Sequence, residues 1–438
     1  MGRKYAAAVL LLLHTALYAD NFSAMQAYQQ QDFAKAGREF ALLVPLGNSL
    51  AAYNLAVMAY LGQGETKNPL KAHKFALLAK HLGSEDADTL LKKTSTELEA
   101  SAQQQAAAEA HSLFLSLLPD YQLELRSEGY SQMLNPVHTV APAYPATLGT
   151  AEQNGRVRVK ILIDEAGTVQ VADVVDAFPA KLFNKVALRA VKQWRYPAYD
   201  KKRIHFADFN FRLSPPSKAA YEKVFKSKQL FDYALAGSNQ HQAMIAGLLN
   251  VLTLGHSARV VIDPKLSGDP GTLPDELFSH PELWTDLSVD GLEGIVRLVT
   301  GDKHQVTAVL ESSVLPLEEM AKKLTGQTLG TLPAGVFILE SQTQHTAIAQ
   351  QEFRIAPLYD GQFWMMQAAQ NGNIAAQRVV AATNIEWEEY RAEQGDAQFQ
   401  AWLGARLCLA GKIEQGKAWL QKAAAQDSSL AKELLLQF

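Results

Sequence analysis

Ala141-Pro-Ala-Tyr-Pro145, Gly155-Arg-Val-Arg-Val-Lys-Ile-Leu-Ile-Asp164, Glu165-Ala-Gly-Thr-Val-Gln-Val171 and, further on, Ile204-His-Phe-Ala-Asp-Phe-Asn-Phe-Arg-Leu213 decide how this chain is read. Val157, Val159, Ile161 and Ile163 alternate with Arg156, Arg158, Lys160 and Leu162. That is the period of a strand with one face on a core and the other largely wet. Asp164 to Gly167 is a short glycine-containing connection, so Val169 to Val175 is expected to return as the partner strand of a hairpin. Pro179 presets the backbone for a helix start. Phe183, Ala187, Ala190, Val191 and Trp194 form an apolar stripe at helical spacing. Pro197 is expected to stop that helix just before it. One helix on a small three-stranded sheet buries both apolar faces. In the last strand Ile204 and Phe206 share one parity, and Phe209, Phe211 and Leu213 the other, so a bulge or bend is expected at Ala207-Asp208.

Taken in order, these elements are Tyr144-Pro145, a glycine before an alternating strand, an Asp-x-x-Gly turn, a helix ending in Trp194-Arg-Tyr-Pro197, and a final aromatic strand. The set resembles the C-terminal domain of the TonB family, periplasmic proteins that couple inner-membrane energy to outer-membrane transporters. It covers about seventy of 438 residues. The resemblance implies that the final strand lies at a sheet edge and that a short receptor segment pairs with it. An edge strand has unpaired N–H and C=O groups and can accept an added strand. The candidate partner-binding residues are therefore Tyr144 and Pro145, with Ile204, His205, Phe206, Ala207, Asp208, Phe209, Asn210, Phe211 and Arg212. Two readings of the phenylalanines stand together: their side chains fill a core while the backbone binds. Tyr144 is either packed on the sheet or in direct contact with the partner. The implied partner is the plug or N-terminal segment of an outer-membrane TonB-dependent transporter, with inner-membrane motor proteins as further partners.

Between Pro136 and Pro216 there are twelve Lys and Arg against seven Asp and Glu, whereas the whole chain is formally −4. A basic domain on an acidic chain suits an acidic partner segment; it also serves simply to keep the domain soluble. The modest total gives no reason to expect nucleic-acid binding.

At the start, Arg3 and Lys4 precede the apolar run Ala6 to Leu13, and Ala19 offers a small-residue cleavage point. This reads as a secretory signal peptide over 1–19, too short for a comfortable membrane span, and places the protein in the periplasm. His14 leaves open a second reading, retention as an inner-membrane tether, because TonB family anchors also carry a histidine. The only cysteine, Cys408, is expected to be buried and inert.

Residues 20–118 read as Ala-rich helices. Ala52-Tyr-Asn-Leu-Ala-Val-Met-Ala-Tyr-Leu-Gly-Gln-Gly64, followed by Pro69-Leu-Lys-Ala72, resembles the Sel-like helical repeats, relatives of the tetratricopeptide class. Gly62-x-Gly64-x-x-Lys67 lacks P-loop spacing and a preceding strand, so it reads as a repeat turn. Ser84 to Leu118 contains neither Gly nor Pro and is expected to form one unbroken helix. After the TonB-like domain (119–216), residues 217–257 read as two or three helices. Residues 258–357 form an unassigned mixed segment: a strand-like Val260-Val-Ile262, a loop-rich stretch with Trp284, and strands on either side of a helix at Leu317 to Leu324. Residues 358–438 return to the repeat pattern. The phrase Trp-x-x-x-Ala-Ala recurs at Trp364 and Trp419, and both tryptophans are expected to be largely buried at helix-pair interfaces.

No His-Glu-x-x-His, no Cys/His pair with metal-ligand spacing and no nucleophile elbow occurs. No cofactor, metal or catalytic residue is therefore assigned. The reading is an α+β protein in which helical-repeat segments flank a small TonB-like sheet-plus-helix domain, with a further β-containing domain. Its expected work is to bind transporter segments by strand addition in energy-coupled uptake. Because no proline-rich spacer is present, the alternative is a soluble periplasmic scaffold that binds envelope proteins without transmitting energy.

Overall fold

The computed structural model describes residues 19–118, 136–145, 153–211, 217–252, 271–274, 277–278, 284–288, 295–312, 315–332, 334–341, 346–352 and 357–438. The signal-peptide reading of 1–19, apart from Ala19, therefore lies outside the described residues. So do Val260 to Ile262, Arg212 and Leu213. The chain divides into two compact units, Met1–Leu123 with Ala234–Gln240 and Gln367–Gln377, and Glu124–Tyr233 with His241–Met366 and Arg378–Phe438.

The first unit is helical. Its helices are α1 (Asn21–Gln29), α2 (Phe33–Leu43), α3 (Ser49–Leu61), α4 (Pro69–His81), α5 (Ala87–Thr96) and α6 (Ala100–Leu115). Each of the first four opens on an Asp or Asn whose side chain accepts an N–H of the first turn: Asp20, Asp32, Asn48 and Asn68. That satisfies one of the donors a helix start leaves free. Ala52, Ala56, Ala59, Ala72, Ala76 and Ala79 are wholly buried, so α3 and α4 approach closely. Asn371 ties two distant segments into this unit. Its side-chain oxygen accepts the Asn21 N–H at 2.7 Å, and its backbone oxygen accepts from the Asn239 amide at 2.8 Å.

The single helix expected over Ser84 to Leu118 is two helices. Thr94, Ser95 and Thr96 turn their hydroxyls back onto Leu90, Lys92 and Lys93 carbonyls, which competes with helix propagation. The Gln103 amide then takes up the Ser95 and Leu98 carbonyls, and Tyr60 and Lys67 hold Glu97.

The second unit opens with a three-stranded antiparallel sheet of β1 (Gly155–Ile163), β2 (Val169–Phe178) and β3 (Arg203–Phe211), in the order β2-β1-β3, with α7 (Asn184–Val191) between β2 and β3. The hairpin is as expected. The helix differs: it begins five residues after Pro179 and ends well before Pro197. Phe183 and Trp194 still pack with the α7 stripe, from its two ends. The α-helix stops at Val191: the Gln193 and Trp194 N–H groups bond the carbonyls three residues back, and Arg195 then makes backbone bonds with His138, so the helix ends ahead of Pro197. β3 has no bulge, because its register on β1 runs unshifted from Arg203 to Phe211. The irregularities lie in the β1–β2 pairing instead.

Helices α8 (Lys218–Ser227), α9 (Leu230–Leu235) and α10 (Asn239–Leu252) follow. A second antiparallel sheet contains β4 (Trp284–Ser288), β5 (Ile295–Thr300), β6 (Val306–Ser312), β7 (Gly335–Ser341) and β8 (Thr346–Glu352), in the order β4-β8-β7-β5-β6. Helix α11 (Leu317–Leu324) buries Met320 and Leu324 with Val296, Leu298, Phe337 and Leu339. The stretch around Trp284, read as loop, supplies the edge strand paired with β8.

The remaining helices are α12 (Gly361–Gln370), α13 (Ile374–Ala381), α14 (Ile385–Glu393), α15 (Ala397–Leu409), α16 (Ile413–Ala424) and α17 (Ser429–Leu435). Trp364, Trp387 and Trp402 are buried. Trp419 is not: it is half-exposed on α16 with the Lys422 ammonium over its ring at 4.7 Å. The inward positions of that helix are Gly416, Leu420 and Ala423. Cys408 is buried, and burial pushes its thiol pKa up. Among the described residues, no helix is long and apolar enough to cross a membrane, and no group of three His, Cys, Asp or Glu is placed to hold a metal ion.

Candidate functional site

β3 is an edge strand. Its only strand neighbour among the described residues is β1, so one side of its backbone ladder has no partner strand. An edge of this kind is a template for pairing with another extended chain.

The sequence builds this edge from two faces. On the α7 face, Phe211 stacks on Phe183 with ring centroids 4.2 Å apart, and Phe209 meets Trp194 at 5.2 Å. Ala207 is buried next along the same face, and His205 meets the edge of Tyr196 at 5.7 Å. Gly155 lies opposite Phe211 because a Cβ there would fall 2.4 Å from the Phe183 ring. Gly167 has φ +80°, and its carbonyl accepts the Tyr196 N–H at 2.8 Å. A side chain at Gly167 would strike the Tyr196 carbonyl. Asp164 accepts the Thr168 N–H at 2.7 Å and closes the turn. The Asp-x-x-Gly motif thus fixes the hairpin and the chain leading into β3 at one point.

Ile204, Phe206, Asp208 and Asn210 point to the other face. The Arg158 guanidinium donates two bonds to Asp208, at 2.7 and 2.9 Å, and Asn210 is exposed. This face was expected to be largely wet, and much of it is not. Helices α15 to α17 cover it, burying Leu162 and Val171 with Ala401, Trp402, Ala405 and Leu420, and Ile204 packs against that cluster. Both apolar parities of β3 are therefore inward-facing, which removes the need for a bulge.

The covering helices bring charge into the interface. Lys160 is fully buried and pairs at 2.7 Å with Glu388, itself 1% exposed. Glu388 also accepts from Arg406 at 2.7 Å. Asp173, across the β1–β2 ladder from Lys160, accepts from Gln398 at 2.7 Å and from the Trp402 indole at 2.8 Å. Burial pushes the Asp173 carboxyl pKa up, opposed by those two hydrogen bonds and by the Lys160 charge. Burial also lowers the His205 pKa, with nearby Asp208 acting the other way, and raises that of Tyr196.

Of the residues singled out from sequence, Ile204 to Phe211 lie together on β3, and Arg212 is outside the described residues. Tyr144 does not join them on the strand. Its ring sits 5.5 Å from Phe183 and its hydroxyl donates to the Gln153 carbonyl at 2.8 Å, so it packs on the core near the Phe211 end. Pro145 is half-buried beside it. Sequence reasoning missed Lys160, Asp173 and Glu388. The available signal was Leu162, an apolar residue on the parity assigned to water.

Residues 140–213 match the family described as Gram-negative bacterial TonB protein C-terminal. The chain is also 37% identical over 57 residues to Protein TonB of Salmonella typhimurium, an alignment covering 13% of this chain and 24% of that protein. It therefore spans about a quarter of the length of that relative. The family match takes in β1, β2, α7 and β3.

Proposed function

We propose that the TonB-like domain binds an extended segment of an outer-membrane TonB-dependent transporter by strand addition at β3, in the periplasm, in energy-coupled uptake. The single observation that carries this reading is the position of β3: an edge strand without an outer partner strand among the described residues, inside the TonB-like region. The added strand is held chiefly by backbone hydrogen bonds along 204–212, and side chains on its two faces supply selectivity. Tyr144 supports the Phe211 end through Phe183, and Pro145 follows it in the chain.

The helical segments 20–118 and 358–438 are read as Sel-like repeats that present protein-binding surfaces. A recurring turn supports this: Gly47-Asn48, Gly372-Asn373 and Gly395-Asp396 each combine a positive-φ glycine with a side chain capping the next helix. A second reading, a fixed adaptor that holds envelope proteins without transmitting energy, is favoured by the clamping of the sheet by α14 to α17 through Lys160 and Glu388.

The test is a substitution series titrated with a synthetic transporter N-terminal peptide. Proline at His205, Phe206, Asp208 or Asn210 deletes one N–H. At one parity it breaks the β1 ladder; at the other it faces outward. At least one proline variant is expected to keep its circular dichroism spectrum and lose peptide affinity, while His205→Ala retains it. If every folded proline variant binds as the parent does, strand addition at this edge is wrong.

A further inference from the structure

From Pro179 to Tyr199 the chain carries five cations, Lys181, Lys185, Arg189, Lys192 and Arg195, and no Asp or Glu. The positions repeat at three or four residues, which puts them on one side of α7 and its extensions. At about 100° per residue, Lys185, Arg189 and Lys192 fall within about 60° of one another. The helix buries Ala187, Ala190 and Val191 against the sheet, and all five cations are exposed. The ion pairs of this domain use other residues: Arg156 with Asp176, Arg158 with Asp208, Lys160 with Glu388 and Arg203 with Asp200. None of the five makes an ion pair among the described residues. In the hairpin turn, Asp164 is engaged by the Thr168 N–H and the Gln170 amide. Arg195 is held in place by its bond to the Trp194 carbonyl at 2.7 Å.

A face that serves only solubility intersperses both signs; this one does not. A protein-docking face centres on exposed aromatic or aliphatic side chains and is depleted in lysine. Here Leu182, Val186, Leu188 and Trp194 are partly buried against the core, and the exposed residues from 180 to 195 are the five cations with Ala180 and Gln193. A row of cations that make no ion pair among the described residues, with no large exposed hydrophobic residue among them, fits a flat array of anions. We propose that the outer face of α7 docks on an anionic phospholipid surface. The attraction acts within a Debye length of the headgroups. Because α7 lies on the sheet face opposite α15 to α17, and β3 is at the side, lipid contact leaves the strand edge available. The proposal does not depend on strand addition.

The experiment is co-sedimentation of the full chain with phosphatidylcholine vesicles, with and without phosphatidylglycerol, at low and high salt. Binding is expected only with phosphatidylglycerol, and to be lost at high salt. The triple variant Lys185→Gln, Arg189→Gln, Lys192→Gln should weaken partitioning by at least about tenfold. The double variant Lys185→Arg, Lys192→Arg should retain it. Neutralising exposed lysines elsewhere (Lys93, Lys228 and Lys412) should leave it unchanged. Acetylation footprinting of the unmodified sequence needs no variant: vesicles should protect Lys185 and Lys192 and leave Lys93 and Lys412 reactive. The proposal is overturned by vesicle binding that is absent or indifferent to phosphatidylglycerol, or by footprints that do not change on α7. Equal loss in the control variant also overturns it. So does binding of poly-glutamate or a peptidoglycan fragment, through these cations, with none to vesicles.

Discussion

Phe183 explains several positions that the sequence offers separately. Its ring stacks on Phe211, supports Tyr144 and occupies the space a side chain at Gly155 would need. The motif residues were legible because each is a local requirement, a turn or a close approach. Their shared dependence on one ring was not, since it joins residues far apart in sequence. His205 yields a prediction at this scale. Burial holds its folded-state pKa below the ordinary 6.5, so the folded protein keeps it neutral where the unfolded chain would take a proton. Its contribution is fully present above pH 6.5 and is lost as pH falls through the depressed folded value. Unfolding free energy measured in denaturant across that range should decline with falling pH. His205→Asn should flatten that decline; an identical slope in both proteins would remove His205 as its source.

At the scale of elements, the hairpin and the edge strand were legible because a period of two and a glycine turn are local signals. The second face of the sheet was not. Its cover arrives with α14 to α17, and the partner of Lys160 lies 228 residues along the chain. Arg156 and Arg158 on that parity do reach carboxylates, Asp176 and Asp208, so the charged pattern alone did not distinguish water from a helix. A buried ion pair costs desolvation, and removing one partner leaves the other uncompensated. Lys160→Met leaves Glu388 with Arg406 alone and takes the cation from beside Asp173, and is expected to destabilise the protein by about 3 kcal/mol in equilibrium denaturation. Lys160→Met with Glu388→Met should recover part of that loss, because Arg406 retains Glu389 as a partner and Asp173 keeps its bonds from Gln398 and Trp402. If the single substitution leaves stability unchanged, Lys160 and Glu388 do not hold the helices on the sheet.

For the whole molecule, composition and periodicity conveyed an α+β chain rich in helices around a small sheet, and the strands on either side of Leu317 to Leu324. They did not convey that Ala234–Gln240 and Gln367–Gln377 join the first unit, because side-chain bonds such as those of Asn371 have no sequence period. The proposed strand addition at the outer edge of β3, with the helices as support, is tested by amide hydrogen exchange on the full chain, with and without a transporter N-terminal peptide. Exchange reports local opening residue by residue. Alternate β3 amides, those pointing away from β1, should slow on peptide addition, while amides already bonded to β1 change little. Peptide binding that leaves β3 exchange untouched and protects amides in the helices instead would contradict strand addition at β3.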